Sequence, residues 1–545
     1  MFISKRLSAL VKVFKDENPI YKPECSVLTA LKGDNVSFQV SYWSDETQSL
    51  TFEVASDIKK VTVRTVEYVK VGLPNKDFTE QMLLDGNFIK FTPCEAPDYL
   101  RKPRGNRFKV TKGKNRTLWV EVEVPRGEKP GDKFVTITVK NSEGTVLSVE
   151  TQKITVCDAV LPKSELIHTE WFHTDCIADY YGYEVFSEKH WKAIESFMKT
   201  AVKRGVTMIL TPVFTPPLDT EIGGERTTVQ LVDVKKDGDK WSFGYEKLTR
   251  WIKLAQKCGF KQFEISHLFT QWGANAAPKI MATVDGEYKR VFGWDTLVED
   301  GVYPKFLAEF LPSLAEFLRA NGVEDVTYFH VSDEPSMEHK PNYDRAKAII
   351  APHIKGFKTM DALSNYDFYA TGSVDLPIPE TIYIEDFYGK VEPLWTYYCC
   401  HGQQTPNRFI GMSLTRTRAS GIQWFKYRIA GFLQWGYNFY NTQFSKAHIN
   451  PYKDVTAGNA FPAGDAFIVY PGAGGKPEES IRLITIHTAI NDLAALNALA
   501  KKTSYEYVLS IIEEELGEPL TFRVWPESEF YYIALRNRVN RELAK

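Results

Sequence analysis

From residue 166 to residue 437 the sequence alternates between short apolar runs and longer amphipathic stretches, and this alternation restricts the fold more than any other feature. The apolar runs are typical of strands, and they fall at 166–173, 206–210, 262–265, 326–331, 357–362, 381–386, 395–400 and 431–437. Three of the intervening stretches place apolar side chains on one helical face and end at a glycine, namely Gly205, Gly259 and Gly322. Strands that alternate with helices form parallel βα units, and eight such units predict an α/β fold with a (β/α)8 barrel.

A doubly wound open sheet is the alternative fold for the same pattern. None of the expected strands is followed by the glycine-rich G-x-G-x-x-G turn, which disfavours the dinucleotide-binding form of that fold. The phosphate-binding G-x-x-x-x-G-K-[ST] and the metalloprotease H-E-x-x-H motifs are also missing from the sequence. The barrel is therefore the favoured prediction.

The segments on either side of this region have a different character. Residues 36–42, 120–124 and 134–139 alternate apolar and polar side chains with a period of two, and turn residues separate them. Short alternating strands of this kind are typical of an antiparallel β-sandwich, which we expect to be a scaffold without chemistry. We therefore predict a sandwich over 1–160, a catalytic barrel over 161–445 and a small C-terminal cap packed on the barrel over 446–545.

Charge and cysteine content restrict the partners. The net charge of -2 argues against a nucleic-acid or membrane-surface protein, since either would need a basic face. The seven cysteines are scattered without a C-x-x-C pair, which predicts reduced thiols, no disulfide framework and no zinc site. No apolar run is long enough to span a membrane, and the first residues lack the apolar core of a signal peptide. We expect a cytoplasmic protein without metal or cofactor, and the oligomeric state stays open.

The side chains that follow the predicted strands favour a sugar substrate. Function concentrates at the carboxyl ends of barrel strands, and aromatic faces, carboxylates and amides together suit the C–H faces and hydroxyls of sugar rings. The candidate substrate-binding residues are His173, Asp219, Arg226, His267, Trp272, Asp361, Tyr397, Trp435 and Asn438.

The adjacent carboxylates Asp333 and Glu334 are the sharpest feature of this region, because the apolar run 326–331 leads directly into them. Two acids in one pocket raise the pKa of one of them, and a carboxyl that stays protonated near neutral pH can serve as a general acid. Sequence neighbours suit a scheme in which a 2-acetamido group of the substrate attacks the anomeric carbon: one carboxylate holds the amide N–H and the other protonates the leaving oxygen. The competing interpretation of Ser332-Asp333-Glu334-Pro335 is a helix N-cap.

Several longer segments add a family resemblance. They resemble glycoside hydrolase family 123 and the broader set that carries the domain of unknown function 4091. The matching segments are 215–220, 264–273, 330–335, 361–364, 395–400, 431–438 and 464–472.

The resemblance implies a retaining β-N-acetylgalactosaminidase with substrate-assisted catalysis, acting on oligosaccharides or glycosides. Asp333 would orient the acetamido group and stabilise an oxazolinium-like intermediate, and Glu334 would be the general acid and then the general base. Tyr397 is the candidate for the tyrosine that contacts the acetamido carbonyl.

Two other functions stay open. One is a glycosidase without 2-acetamido specificity, with Glu334 as the acid and Glu264, Asp361 or Glu385 as the nucleophile. The other is a glycan-binding protein on a barrel that has lost catalysis.

Overall fold

The computed structural model describes residues 1–72, 88–90 and 92–545, and its N-terminal part contains two five-stranded sheets. The strands are β1 Phe2–Ser8, β2 Leu28–Lys32, β3 Asn35–Ser44, β4 Gln48–Ser56, β5 Lys60–Val71, β6 Cys94–Arg101, β7 Arg107–Val110, β8 Arg116–Glu123, β9 Gly131–Lys140 and β10 Val146–Val160. The sheet orders are β1-β3-β8-β5-β6 and β2-β10-β9-β4-β7.

The period-two alternation of these strands places one face of each sheet in a shared apolar core. Phe38 and Val40 of β3 lie in the same buried cluster as Val135 and Ile137 of β9, from the other sheet. The strand pairs are antiparallel except for β2 with β10, which are parallel. These two strands are far apart in the chain, so no hairpin forces them to run in opposite directions. The expectation of a purely antiparallel sandwich is wrong at this pair.

The remaining strands include a third, larger sheet. They are β11 Ile167–Glu170, β12 Met208–Thr211, β13 Asp233–Asp237, β14 Lys240–Gly244, β15 Gln262–Ile265, β16 Ile280–Val284, β17 Glu287–Phe292, β18 Thr327–Phe329, β19 Lys358–Ala362, β20 Leu376–Ile378, β21 Trp395–Tyr397, β22 Gly431–Gln434, β23 Val469–Pro471 and β24 Pro477–Glu479. Eight of them form a parallel sheet in the order β20-β19-β18-β15-β12-β11-β22-β21.

This sheet curves into a nearly closed barrel. The backbone N–H of Tyr397 in β21 donates to Pro379 O, just beyond β20, at 3.0 Å. One buried cluster combines Met208 and Leu210 of β12 with Met360 of β19 and Leu433 of β22. The strands are buried on both faces, which explains their near-continuous apolar sequences. The expected parallel arrangement of eight strands is confirmed.

Helices connect the barrel strands and follow the last of them. They are α1 Thr174–Tyr181, α2 Glu188–Lys203, α3 Glu246–Cys258, α4 Val302–Ala320, α5 Lys340–Ile350, α6 Tyr366–Ala370, α7 Ile384–Phe387, α8 Leu414–Lys426, α9 Ile481–Lys502, α10 Tyr505–Glu513 and α11 Glu529–Leu543. Two connections depart from a regular repeat, because α6 has 5 residues and α7 has 4.

The strand predicted at 381–386 is wrong. The sixth strand is the three-residue β20, and the predicted segment is helical, with α7 at its end. Ile384 and Phe387 are buried three positions apart, which is the spacing of one helical face rather than of a strand. Glu385 consequently lies on this helix and not at the end of a strand.

The C-terminal segment packs against both the barrel and the N-terminal sheets. Helix α9 lies along α8, while α11 reaches β2, where Asn537 Oδ1 accepts a hydrogen bond from the backbone N–H of Thr29 at 2.8 Å. By length and composition α9 could cross a membrane, but 67% of its apolar window is buried inside the protein, as is typical of a core helix. This segment therefore contacts more of the molecule than a cap on the barrel alone would.

Candidate active site

A cavity of about 260 Å³ opens at the carboxyl ends of the barrel strands. It is lined by Trp171, Leu218, Asp219, Gln271, Trp272, Asp333, Glu334, Ala362, Tyr397, Cys399, Cys400, His401, Leu433, Trp435, Gln443, Phe444 and Phe461. Carboxylates, amides and aromatic rings thus share one concave surface, which is the usual form of a small-ligand site.

The two adjacent carboxylates lie in this cavity on the loop that follows β18. Asp333 and Glu334 are half-buried, and the Trp272 backbone N–H donates to Asp333 O at 3.1 Å. Glu334 has a φ of 43°, in the left-handed region that costs a non-glycine residue backbone strain. The N-cap interpretation is wrong, because the nearby helical turn is capped by Ser336, three residues after the Asp333 side chain. Both carboxylates are free to face the cavity.

The environments of the two carboxyl groups differ. Burial and then the neighbouring Glu334 raise the pKa of Asp333 well above its usual range. The Tyr397 hydroxyl donates to Glu334 Oε1 at 2.6 Å. Without a ligand, Asp333 therefore retains its proton to a higher pH than an exposed aspartic acid does.

A buried ion cluster supports the pair from inside the barrel. His330 Nδ1 lies 3.1 Å from Asp361 Oδ1, and His330 Nε2 lies 3.1 Å from Glu264 Oε2. Burial lowers the pKa of His330, but the hydrogen bonds to Asp361 and Glu264 outweigh it and raise this pKa to about 9. His330 is consequently an imidazolium that links β15, β18 and β19 beneath Asp333.

An aromatic layer separates this cluster from the cavity. The His267 ring stacks on His330 with a centroid distance of 4.2 Å, and Trp171 meets His267 edge-on at 5.1 Å. Burial and then His330 lower the pKa of His267 well below its usual value, so this ring is neutral. Its ring nitrogens have no hydrogen-bond partner among the residues that the structure describes.

A second wall of the cavity comes from the loops after β12 and β22. Burial raises the pKa of Asp219 to about 6, although the Phe444 backbone N–H donates to Asp219 Oδ2 at 3.1 Å. Trp272 is 37% exposed and meets the Phe444 ring edge-on at 5.8 Å. Asp219, Trp272 and Phe444 all have positive φ values, so strained backbone concentrates around this wall.

Trp435 forms a further part of the wall and is oriented by the C-terminal segment. Its indole N–H donates to Asp465 Oδ2 at 3.2 Å, while its ring packs edge-on against Phe439 and Phe461. Burial raises the pKa of Asp465 to about 7. The Trp435 face is therefore held in one orientation by residues on three segments.

Six of the residues proposed from the sequence meet at the cavity: Asp219, Trp272, Asp333, Glu334, Tyr397 and Trp435. Five others are fully buried behind its wall: His173, Arg226, His267, Asp361 and Asn438. The structure does not bring these five to the surface that a substrate would contact.

Three of the buried residues form a brace of hydrogen bonds. Arg226 holds Asp175 with two hydrogen bonds of 2.8 Å and donates to His173 Nδ1 at 3.0 Å. His173 in turn contacts Trp435 O at 2.8 Å, and Asn438 bonds both the N–H and the C=O of His173. The brace positions the loop that carries Trp435.

Sequence reasoning missed several residues of the cavity. Gln271 stands within the matching segment 264–273, where its polar side chain after an apolar run was the available signal. Asp465, which lies behind the cavity and orients Trp435, stands within the segment 464–472 directly before an apolar run. Gln443, Phe444 and Phe461 are in loops beyond the last barrel strand, where no periodicity marks them. Only the fold brings these loops to the barrel opening.

Comparison with known proteins places the chain among sugar-cleaving enzymes. The family model described as "Glycoside hydrolase 123, catalytic domain" matches residues 171–499. A solved family 123 glycoside hydrolase from Clostridium perfringens is 16% identical, covers 100% of this chain and 98% of its own, and has a TM-score of 0.76. At that identity the likeness shows a shared fold.

A β-glucuronidase from Parabacteroides merdae is more distant, with 10% identity, coverage of 82% of this chain and 49% of its own, and a TM-score of 0.31. That similarity is too low to support an argument. Among curated proteins, none matches this chain significantly in sequence.

Proposed function

The chain belongs to glycoside hydrolase family 123 and hydrolyses glycans, and from that premise we propose that it removes β-linked N-acetylhexosamine, preferentially N-acetylgalactosamine, with retention of configuration. The observation that carries the proposal is the pair of adjacent carboxyl groups, Asp333 and Glu334, in one cavity. The relative from Clostridium perfringens is described as hydrolysing glycolipid glycans, which supports an oligosaccharide or glycoside as the substrate.

In the proposed reaction the substrate supplies its own nucleophile. The acetamido carbonyl oxygen attacks C1 while Glu334 gives its proton to the leaving oxygen, and a cyclic oxazolinium-type intermediate forms. Asp333 accepts a hydrogen bond from the acetamido N–H and stabilises the positive charge that develops on the oxazolinium ring. Glu334, now ionised, takes a proton from water as the water attacks C1, and the ring opens to give the retained sugar.

Substrate binding would also place the proton on the correct carboxyl group. In the empty site Asp333 retains its proton to a higher pH than usual, because burial and Glu334 raise its pKa. A hydrogen bond from the acetamido N–H favours the ionised form of Asp333. The proton then moves to Glu334, and Tyr397, which lines the cavity beside Glu334, becomes free to donate to the acetamido carbonyl.

The runner-up function needs a carboxylate nucleophile from another strand, and the available candidates are poorly placed. Glu264 and Asp361 are buried and bonded to His330. Glu385 lies on α7 and accepts a hydrogen bond from Tyr427. Asp219 does line the cavity, so it is the carboxylate outside the adjacent pair that this function would have to use.

Three aryl glycosides and one inhibitor test the proposal. We expect hydrolysis of nitrophenyl β-N-acetylgalactosaminide, slower hydrolysis of the β-N-acetylglucosaminide and little of the β-galactoside. A thiazoline analogue of the oxazolinium ion should inhibit competitively, because transition-state-like species bind much more tightly than substrates. Equal rates for the acetamido and hydroxy sugars would favour the runner-up, and binding of all three without hydrolysis would favour a glycan-binding protein.

A further inference from the structure

Three consecutive residues on the cavity wall are arranged like the ligands of a metal ion, and a carboxylate lies next to one of them. The ligand atoms of Cys399, Cys400 and His401 all lie within 4.8 Å of one another. Cys399 Sγ is 3.6 Å from His401 Nδ1 and 3.7 Å from Glu380 Oε1. The three residues are consecutive and therefore lack the C-x-x-C spacing of familiar zinc motifs. For that reason the sequence alone predicted no metal.

These separations fit tetrahedral zinc. With zinc bonded to sulfur at ~2.3 Å and to nitrogen or oxygen at ~2.0–2.2 Å, the sulfur-to-nitrogen and sulfur-to-oxygen edges of a tetrahedron are about 3.6 Å. The two distances from Cys399 Sγ, 3.6 and 3.7 Å, match those edges before any metal is bound. Two thiolates, an imidazole and a carboxylate are all ligands that zinc accepts.

The loop that carries the three residues is held in place. Asn407, which is fully buried, donates from its side-chain amide to Cys399 O at 2.9 Å and to Gly402 O at 3.1 Å. The Gly402 backbone N–H closes the turn by donating to Cys399 O at 3.2 Å. An ion also has a path to the site, because Cys400 is half-buried and His401 is exposed at the cavity.

We propose that Cys399, Cys400 and His401 form a Zn²⁺ site on the wall of the substrate cavity, with Glu380 beside Cys399, and that zinc bound there inhibits hydrolysis. The inhibitory consequence rests on the proposed function, whereas the binding does not.

Inhibition follows from the position of the site beside the general acid. Glu334 lines the same cavity as Cys399, Cys400 and His401, and so does Tyr397, whose hydroxyl donates to Glu334 Oε1 at 2.6 Å. A divalent cation stabilises the ionised form of nearby carboxyl groups. Zinc at this site therefore places a positive charge in the cavity that holds the general acid, and it narrows the space that the substrate must enter.

Binding is tested on the reduced full-length protein with Co²⁺ as a coloured substitute and with Zn²⁺ in competition with a chromophoric chelator. We expect one equivalent to bind and a thiolate-to-cobalt absorption band to appear. Loss of a direct ligand should weaken binding by roughly 100-fold or more, since even residues behind the ligands contribute about 10- to 100-fold. His401→Ala removes an exposed ligand and Cys400→Ser a half-buried one, so that misfolding of one variant leaves the other informative.

Cys258→Ser is the matched control, because Cys258 is a half-buried thiol on α3, outside the cavity. It should bind the metal as the wild type does. The absence of a thiolate band, or a band that persists in both His401→Ala and Cys400→Ser, would overturn the site.

Inhibition is measured separately as the ratio of rates with and without Zn²⁺ in each protein. For the wild type and Cys258→Ser, the ratio should fall when zinc is added and recover on chelation. For His401→Ala, it should fall only at a roughly 100-fold higher zinc concentration. Zinc binding without loss of activity would overturn the inhibitory claim. A protein that fails to hydrolyse the acetamido glycosides but shows the thiolate band would contradict the proposed function and leave the binding site confirmed.

Discussion

At the scale of single residues, the sequence predicts the carboxylate pair but not its charges. An apolar run followed by Asp333 and Glu334 already places two acids at the end of a strand. Their different environments depend on Tyr397, which comes from another strand, and on the burial of Asp333. Periodicity carries no information about such neighbours, because they are set by side-chain packing between distant segments.

Replacement of Glu334 by Gln tests the role of the general acid. We expect the turnover of an alkyl or sugar β-N-acetylgalactosaminide to fall by roughly 10²- to 10⁴-fold, with a nearly unchanged KM because glutamine has the same shape. A dinitrophenyl leaving group needs no proton, so its release should be affected much less. Steady-state rates with both leaving groups provide the measurement.

Glu338→Gln is the control for this variant, since Glu338 is exposed and lies on the same loop outside the cavity. It should leave both rates unchanged. Full activity of Glu334→Gln on the poor leaving group would show that another residue is the acid.

Asp219 gives a prediction about stability and pH. Burial raises the pKa of this carboxyl to about 6 in the folded protein, against about 3.9 in an unfolded chain. The folded state therefore favours the protonated form, and its stability falls as the pH rises from about 4 through 6. Asp219→Asn removes this cost, and denaturant unfolding should show the variant about 1–3 kcal/mol more stable than the wild type at pH 8. The same gain at pH 4 would contradict the assigned cause.

At the scale of elements, the parallel strands could be predicted and their ends could not. Seven of the eight strand positions follow from apolar runs, but β20 is only three residues long and contains Pro377, so it carries little signal. Helix α7 was mistaken for a strand because a four-residue helix is too short to show a period. Side chains buried behind the cavity, such as Arg226 and Asn438, could not be distinguished from those that line it, because sequence position does not reveal depth.

The His330 cluster connects three of these strands and gives a prediction at this scale. The carboxylates of Asp361 and Glu264 raise the pKa of His330 to about 9. Its contribution to stability is therefore complete below the unfolded pKa of about 6.5 and is lost as the pH rises through 9. We expect the wild type to lose up to about 3 kcal/mol of unfolding free energy over this interval from this residue.

His330→Gln removes the imidazolium and leaves two buried carboxylates without it, which should cost about 3–5 kcal/mol near pH 6 and less near pH 10. Urea unfolding at both pH values measures the difference, and His353→Gln, at a half-buried position outside the barrel interior, is the control. A cost that is independent of pH would show that His330 is neutral in the folded protein.

At the scale of the whole molecule, buried ion pairs join regions that the sequence analysis treated separately. Arg204, after α2, bonds Glu121 of β8 at 2.6 Å and Glu479 of β24, while Arg64 of β5 bonds the same two carboxylates. The side chains of Arg204 and Glu121 are almost completely buried. Ion pairs between residues that are 57 to 415 positions apart leave no trace in local patterns, so the tight connection of the N-terminal sheets to the barrel could not be predicted.

Glu479→Gln tests this connection. Burial opposes ionisation, but Arg204 and Arg64 hold the pKa of Glu479 well below its usual range, so its contribution is present at neutral pH and is lost as the solution becomes acidic. At pH 7 the variant should lose about 3–5 kcal/mol of unfolding free energy, because it leaves buried arginines partly unpaired. Glu188→Gln, which breaks an exposed pair with Arg250, should change the unfolding free energy far less, because solvent screens that pair. Equal effects in the two variants would mean that the buried cluster adds nothing to the connection.

Attack by the acetamido group of the substrate is the central claim, and a series of aryl N-acylgalactosaminides tests it most directly. Replacing the acetyl hydrogens successively by one, two and three fluorines withdraws electrons from the carbonyl oxygen. The size of the acyl group changes little. If that oxygen is the nucleophile at the cavity of Asp333 and Glu334, kcat/KM must fall steeply with each fluorine. A rate that is independent of fluorine content would show that a protein carboxylate attacks instead.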